Sequence, residues 1–198
     1  MTLRKPRVLA SLPLVVLLLA PFSRAEAPAF VISTTTSNIQ FHVKSSVDIT
    51  GKFDKWTATM KFASTDIHSG VLDIRIQAAS VDTGSGMKNG KLKSKDFFNV
   101  DQDPEITFHS TKIMQTSPTT FEVDGDFTIR GTTKQEKLLL TLEGRGTGAG
   151  TVKGTMAFDR KDYGMDGSIP FIKIADRVEV TVNLNGKRVS GPPLDLKQ

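Results

Sequence analysis

Apolar and polar positions alternate with a period of two along most of the chain. Ile39, Phe41 and Val43 alternate with Gln40, His42 and Lys44. Ala58, Met60 and Phe62 alternate with Thr57, Thr59 and Lys61, and Leu72, Ile74 and Ile76 with Asp73, Arg75 and Gln77. The same spacing recurs at Ile106/Phe108, Phe121/Val123, Phe127/Ile129, Leu138/Leu140/Leu142, Met156/Phe158 and Val178/Val180/Val182/Leu184. Such alternation predicts strands with one buried face. Turn-forming clusters separate them: Thr50-Gly51-Lys52, His68-Ser69-Gly70, Asp124-Gly125-Asp126, Arg130-Gly131, Gly144 to Gly150, and Asn185-Gly186. Roughly eight to ten short antiparallel strands describe an all-β sandwich or barrel.

One segment breaks the rhythm. Gly84 to Pro104 is longer than an ordinary hairpin loop and carries Met87, Leu92, Phe97, Phe98 and Val100 among lysines. It is expected to hold a short helix or to fold over something. The glycine run from Gly144 to Gly150 reads as a hairpin tip, since it lacks the Gly-Lys-Ser/Thr ending of a phosphate loop. Residues 191–198, beginning Gly191-Pro192-Pro193, read as a flexible tail.

The first 25 residues differ in kind. Met1–Arg7 is basic, Val8–Ala20 is an apolar run, and Ser23-Arg24-Ala25 offers small residues around a cleavage point. That order predicts a secretory signal peptide over residues 1–25 and a mature start at Glu26. The expected product is periplasmic or secreted, with no stable membrane anchor after cleavage. The leader also explains the charge. Of 26 basic residues it holds Arg4, Lys5, Arg7 and Arg24 and no acid, leaving 22 against 21 acidic residues. Nothing in that balance calls for nucleic acid as a partner.

Candidate chemistry is sparse. The chain has no cysteine, which removes disulfides, thiolate metal sites and cysteine nucleophiles. His42 and His109 fall on polar strand phases and His68 in a turn, so no metal ion or other cofactor is expected. Asp159-Arg160-Lys161-Asp162 offers carboxylates beside an arginine, which fits a surface ion-pair cluster as well as an acid–base pair. The aromatic content says more. Phenylalanine occurs twelve times, against one tryptophan and one tyrosine. Phe has no polar handle, so it suits a dry interior, either a packed core or a cavity for an apolar guest.

Four segments, in order along the chain, share a pattern. Ile39-Gln40-Phe41-His42-Val43 with Gly51-Lys52-Phe53 forms a first hairpin, and Asp96-Phe97-Phe98-Asn99-Val100 precedes Pro104-Glu105-Ile106-Thr107-Phe108. Val123 to Lys134 contains Gly125-Asp126-Phe127-Thr128-Ile129-Arg130-Gly131, and Asp159-Arg160-Lys161-Asp162-Tyr163-Gly164 follows. Together these resemble the YceI-like family. Ser45 stands where family members commonly have His, and Gly90-Lys91-Leu92 where Asp-His-Leu is usual.

The resemblance implies an antiparallel eight-stranded lipocalin-like β-barrel over residues 26–190, with a short helical insertion. It further implies a cavity for a polyisoprenoid, an isoprenoid quinone or a similar long-chain apolar lipid. The inward phase then supplies a ligand-binding wall of Phe41, Met60, Phe62, Leu72, Ile74, Phe108, Phe127, Leu140, Met156 and Phe158. Phe98 is expected as a plug from the insertion. Arg160 is the candidate contact to a pyrophosphate or carbonyl, with an ion pair to Asp159 or Asp162 as its other expected role. Eight strands enclose room for side chains or for one slender ligand. The expectation is non-catalytic lipid binding, transport or storage, with room for a homodimer. An enzyme acting on a lipid or quinone, and an assembly factor with a filled barrel, stay open beside it.

Overall fold

The computed structural model describes residues 26–46, 48–144, 147–168 and 171–198, so the signal-peptide expectation lies outside the described residues. Among the described residues ten strands and one α-helix follow in order: β1 (Ala29–Ser45), β2 (Ile49–Phe53), β3 (Trp56–Phe62), β4 (Gly70–Gln77), β5 (Val81–Asp82), α1 (Gly86–Lys93), β6 (Glu105–Gln115), β7 (Thr120–Ile129), β8 (Thr132–Glu143), β9 (Ala149–Asp159) and β10 (Ile174–Ser190). Strands β3, β4, β6, β7, β8, β9 and β10 are neighbours in that order, and β1 closes the ring by pairing with both β10 and β3. The result is a closed, eight-stranded antiparallel β-barrel. The second half of β1 also pairs with β2, and β2 with the short β5, which extends the sheet at one rim.

Closure leaves the barrel with one inner face, and the alternation fills it. Along β7 every second residue from Phe121 to Ile129 is buried. The Arg130-Gly131 pair, both at positive φ, makes the two-residue turn into β8 that matches strand twist.

Three glycine clusters expected as turns lie inside strands instead. Gly125 is mid-β7, and a Cβ there would sit 2.6 Å from Phe108 Cζ and 2.7 Å from the His109 carbonyl oxygen. Gly51 is mid-β2, where a Cβ would meet the Phe41 ring at 2.3 Å. Both glycines make room for a phenylalanine ring packed across the barrel wall. Gly186 likewise continues β10, paired with Ile32 and Gly150.

The insertion holds the expected helix, capped by the Ser85 hydroxyl accepting from the Lys88 N–H. Leu92 of α1, with Phe97 and Phe98 beyond it, is buried over one end of the barrel, the upper end. Met87 instead stands exposed. At the opposite end the C-terminal residues depart from the expected loose tail. Asp195 N–H donates to the Thr65 carbonyl oxygen at 2.9 Å, Lys197 N–H donates to Gln115 Oε1 at 2.8 Å, and Leu194 and Leu196 pack against the core. Two apolar side chains and four hydrogen-bonding groups outweigh the Pro-Gly composition that suggested fraying.

Candidate functional site: two apolar chambers in the barrel

Described residues of the barrel interior line a cavity of about 70 Å³ at the upper end and one of about 140 Å³ at the lower end. Each exceeds the ~10–15 Å³ a single water needs, but the lining gives water almost nothing to bond. Every residue lining the upper chamber except Arg160 is apolar, and the lower chamber has only Gly186 beside apolar side chains.

Strand register decides which residue lines which chamber. On β4, Ile76 faces the upper chamber and Leu72 the lower; on β6, Ile106 the upper and Ile113 the lower; on β9, Phe158 the upper and Val152 the lower. Between these positions lie Ile74, Phe108 and Met156, all buried and lining neither chamber. With Val123 of β7 and Val182 of β10 they form a packed waist.

The twelve side chains singled out from the sequence therefore divide three ways. Phe41, Phe98, Phe127, Phe158 and Arg160 line the upper chamber, and Met60, Phe62, Leu72 and Leu140 the lower. Ile74, Phe108 and Met156 belong to the waist. Alternation alone missed Phe53 and Phe97 above and Phe30, Ile32, Leu194 and Leu196 below. A change of register between Ser33 and Asn38 reverses the phase of β1, so that Ile32 and Ile39, seven apart in sequence, both face inward.

The upper chamber is aromatic. Phe41, Phe53 and Phe98 form a chain of rings from the barrel wall to the insertion, with centroids 5.6 and 5.9 Å apart. Phe127, Phe158 and Tyr163 make a second cluster with centroids 5.1–5.5 Å apart, and Tyr163 meets the other two edge-on. The Tyr163 hydroxyl donates to Glu136 Oε1 at 2.8 Å. Burial, and then that hydrogen bond to Glu136, push the phenol well above its ordinary pKa of 10.0.

Arg160 is buried at the rim of this chamber, and its partners are not the ones next to it in sequence. Its guanidinium donates to the carbonyl oxygens of Ala175, Met165 and Gly167, and it pairs with Asp176 at 3.2 Å. Asp159 instead caps the following turn through the Lys161 N–H, and Asp162 pairs with Lys134. The guanidinium thus spends its donors on the chain itself, linking the Met165 and Gly167 carbonyl oxygens to the start of β10. The Lys161 ammonium, hydrogen-bonded to Asp176, and then Arg160 beside it hold the Asp176 carboxyl below its ordinary pKa.

The histidines sit apart in role. His109 contacts Asp73 at 2.5 Å on the outer surface, His42 contacts Thr50, and His68 contacts the Ile113 carbonyl oxygen. Among the described residues no group of three or more His, Asp or Glu is placed to hold a metal ion.

The profile of the YceI-like domain matches residues 30–186, a span that starts in β1 and ends in β10. The chain belongs to the YceI-like family. A UPF0312 protein of Pseudomonas syringae pv. tomato is 30% identical over 134 residues, covering 65% of this chain and 69% of that protein. A UPF0312 protein of Vibrio parahaemolyticus is 24% identical over 175 residues, covering 82% of this chain and 88% of the other. Among solved structures, BcnA of Burkholderia cenocepacia superposes with a TM-score of 0.71 at 24% identity, over 78% of this chain and 99% of BcnA. A polyisoprenoid-binding domain from Saccharophagus degradans, implicated in plant cell wall breakdown, superposes with a TM-score of 0.64 at 16% identity, over 82% of this chain and 99% of that domain. At these identities the YceI-like barrels attest the shared fold.

Proposed function

We propose that this protein binds one slender, apolar, long-chain lipid inside its barrel and leaves it chemically unchanged, in the compartment to which its leader exports it. The observation that carries this reading is the pair of chambers walled by apolar side chains within a closed barrel. The polyisoprenoid-binding neighbour supports an isoprenoid-like chain as the ligand class. Burying such a chain is favourable by about 0.8 kcal/mol per methylene, so a chain of ten or so carbons needs no charged anchor to be held.

One observation favours a different reading. The waist is filled, as it would be in a barrel that serves purely as a structural or assembly module. Organic extraction of the purified protein followed by mass spectrometry, with titration of the extracted protein by a fluorescent fatty-acyl probe, separates the two. Lipid binding predicts a co-purifying apolar lipid or saturable uptake of the probe, nearly unchanged by high salt. Absence of both co-purifying lipid and probe uptake would leave the filled-barrel reading.

A further inference from the structure

The C-terminal strap, residues 191–198, lies beyond the segment that the family profile accounts for, which ends at residue 186. At Gly191 the chain leaves β10 with φ +74, against Ala27 and Pro28, where a Cβ would come within 2.5 Å of the Ala27 carbonyl oxygen. It then crosses the lower mouth of the barrel in extended steps. Leu194 and Leu196 line the lower chamber, and Asp195 between them turns outward to Thr65. That alternation is the period of two, applied across the mouth rather than along the wall.

The register of the strap is fixed from both sides. Asp195 donates its N–H to the Thr65 carbonyl oxygen at 2.9 Å and accepts the Thr65 hydroxyl at 2.5 Å. Gln115, only 6% exposed at the end of β6, accepts the Lys197 N–H at 2.8 Å and returns a hydrogen bond from Nε2 to the Lys197 carbonyl oxygen at 3.2 Å. A buried amide bonded at both ends to one strap residue, with Nε2 also donating to the Ser117 and Pro118 carbonyl oxygens, accounts for a polar side chain in an apolar strand phase. A slip of one residue would break these bonds and turn both leucines out of the chamber.

We propose that this strap is the end wall of the lower chamber and sets the maximum chain length of the bound lipid, an inference that rests on the lipid-binding reading above. Up to the strap, each added methylene improves affinity by about fourfold. Beyond it, an added methylene must displace Leu194 and Leu196 or stay in water, and gains nothing.

The test is competition by a homologous series of unlabelled saturated fatty acids against a fluorescent fatty-acyl probe. It is run on the intact protein, on a chain ending at Gly191, and on the Leu194→Ala/Leu196→Ala variant, which keeps the four hydrogen bonds made at Asp195 and Lys197. The intact protein is expected to show affinity rising with length and then levelling at a cut-off. The truncation and the double variant are expected to move that cut-off to longer acids, with shorter acids bound more weakly. An unmoved cut-off in the folded variants overturns the proposal. So does loss of the folded barrel in the double variant, because the leucines would then be structural supports rather than a ligand wall. Failure of the intact protein to bind any probe is a separate result, which overturns the lipid reading itself.

Discussion

The two chambers share one barrel and the same alternating strands, yet they are closed by opposite means. The upper one is shut by a folded insertion and by Met165 and Gly167, whose carbonyl oxygens a buried arginine holds beside Ala175 and Asp176 of β10. Its walls carry interlocking rings, from Phe41 through Phe53 to Phe98. The lower one is walled mainly by aliphatic side chains and shut by a terminal segment held by backbone hydrogen bonds, Thr65 and Gln115. Rings at fixed angles and a buried charge resist rearrangement, because moving either leaves voids or unpaired groups. The strap lies outside every barrel strand, so displacing it breaks no ladder pairing of the barrel. The contrast predicts a stiffer upper end and a more adjustable lower one.

The comparison breaks most completely if the waist is removed. Phe108→Ala leaves a void between the chambers and is expected to cost about 3–5 kcal/mol in urea unfolding. If the chambers are separated only by that layer, the same variant gains affinity for chains longer than the intact protein prefers. A stability loss with an unchanged length preference would place the separation elsewhere.

A smaller effect is expected from Arg160→Met. Removing one partner of a buried ion pair costs about 3–5 kcal/mol when the other charge is stranded. Asp176 keeps Lys161 and is partly exposed, so about 2–3 kcal/mol is expected, from the carbonyls left without donors. Hydrogen exchange should show the loss at residues 165–168 and 171–175 and spare the Gln115–Lys197 contact. Equal loosening at both ends would contradict independent closures.

Tyr163→Phe sharpens the comparison with the least damage, about 1 kcal/mol for the lost hydrogen bond to Glu136. It also carries a pH signature. The folded phenol titrates above the unfolded one, so its stabilising contribution is full below about pH 10 and is lost as pH rises beyond it. Stability of the intact protein should fall more steeply above that pH than stability of Tyr163→Phe. Parallel alkaline curves would mean that Tyr163 titrates freely in the folded state.

Much of this was legible in the sequence because a barrel with one apolar face writes itself as alternation. Phe121 to Ile129 and Val178 to Leu184 face inward as their spacing predicts. What stayed hidden has specific causes. Gly51 and Gly125 look like turn residues until the ring packed against each is known, and Phe41 and Phe108 lie on other strands. The register change in β1 and the bulge between Ser110 and Lys112 shift the phase, concealing Phe30, Ile32 and Ile113 as wall residues. The Arg160 partner sits on β10, past a loop, rather than among the adjacent aspartates. For the strap, composition pointed to fraying, whereas two leucines and a distant glutamine decide its position.

The seam between β1 and β10 has a consequence for how the molecule is made. These two seventeen-residue strands are the first and last among the described residues, and they pair from Ala29 opposite Ser190 to Ser45 opposite Ile174. Contacts so distant in sequence pay their loop-closure entropy before any reward arrives, which slows folding. The ring therefore cannot shut until β10 has been made. Until β10 is in place, the edges of β1 and β9 that it covers lack their partner, and an uncovered edge is open to pairing with another chain.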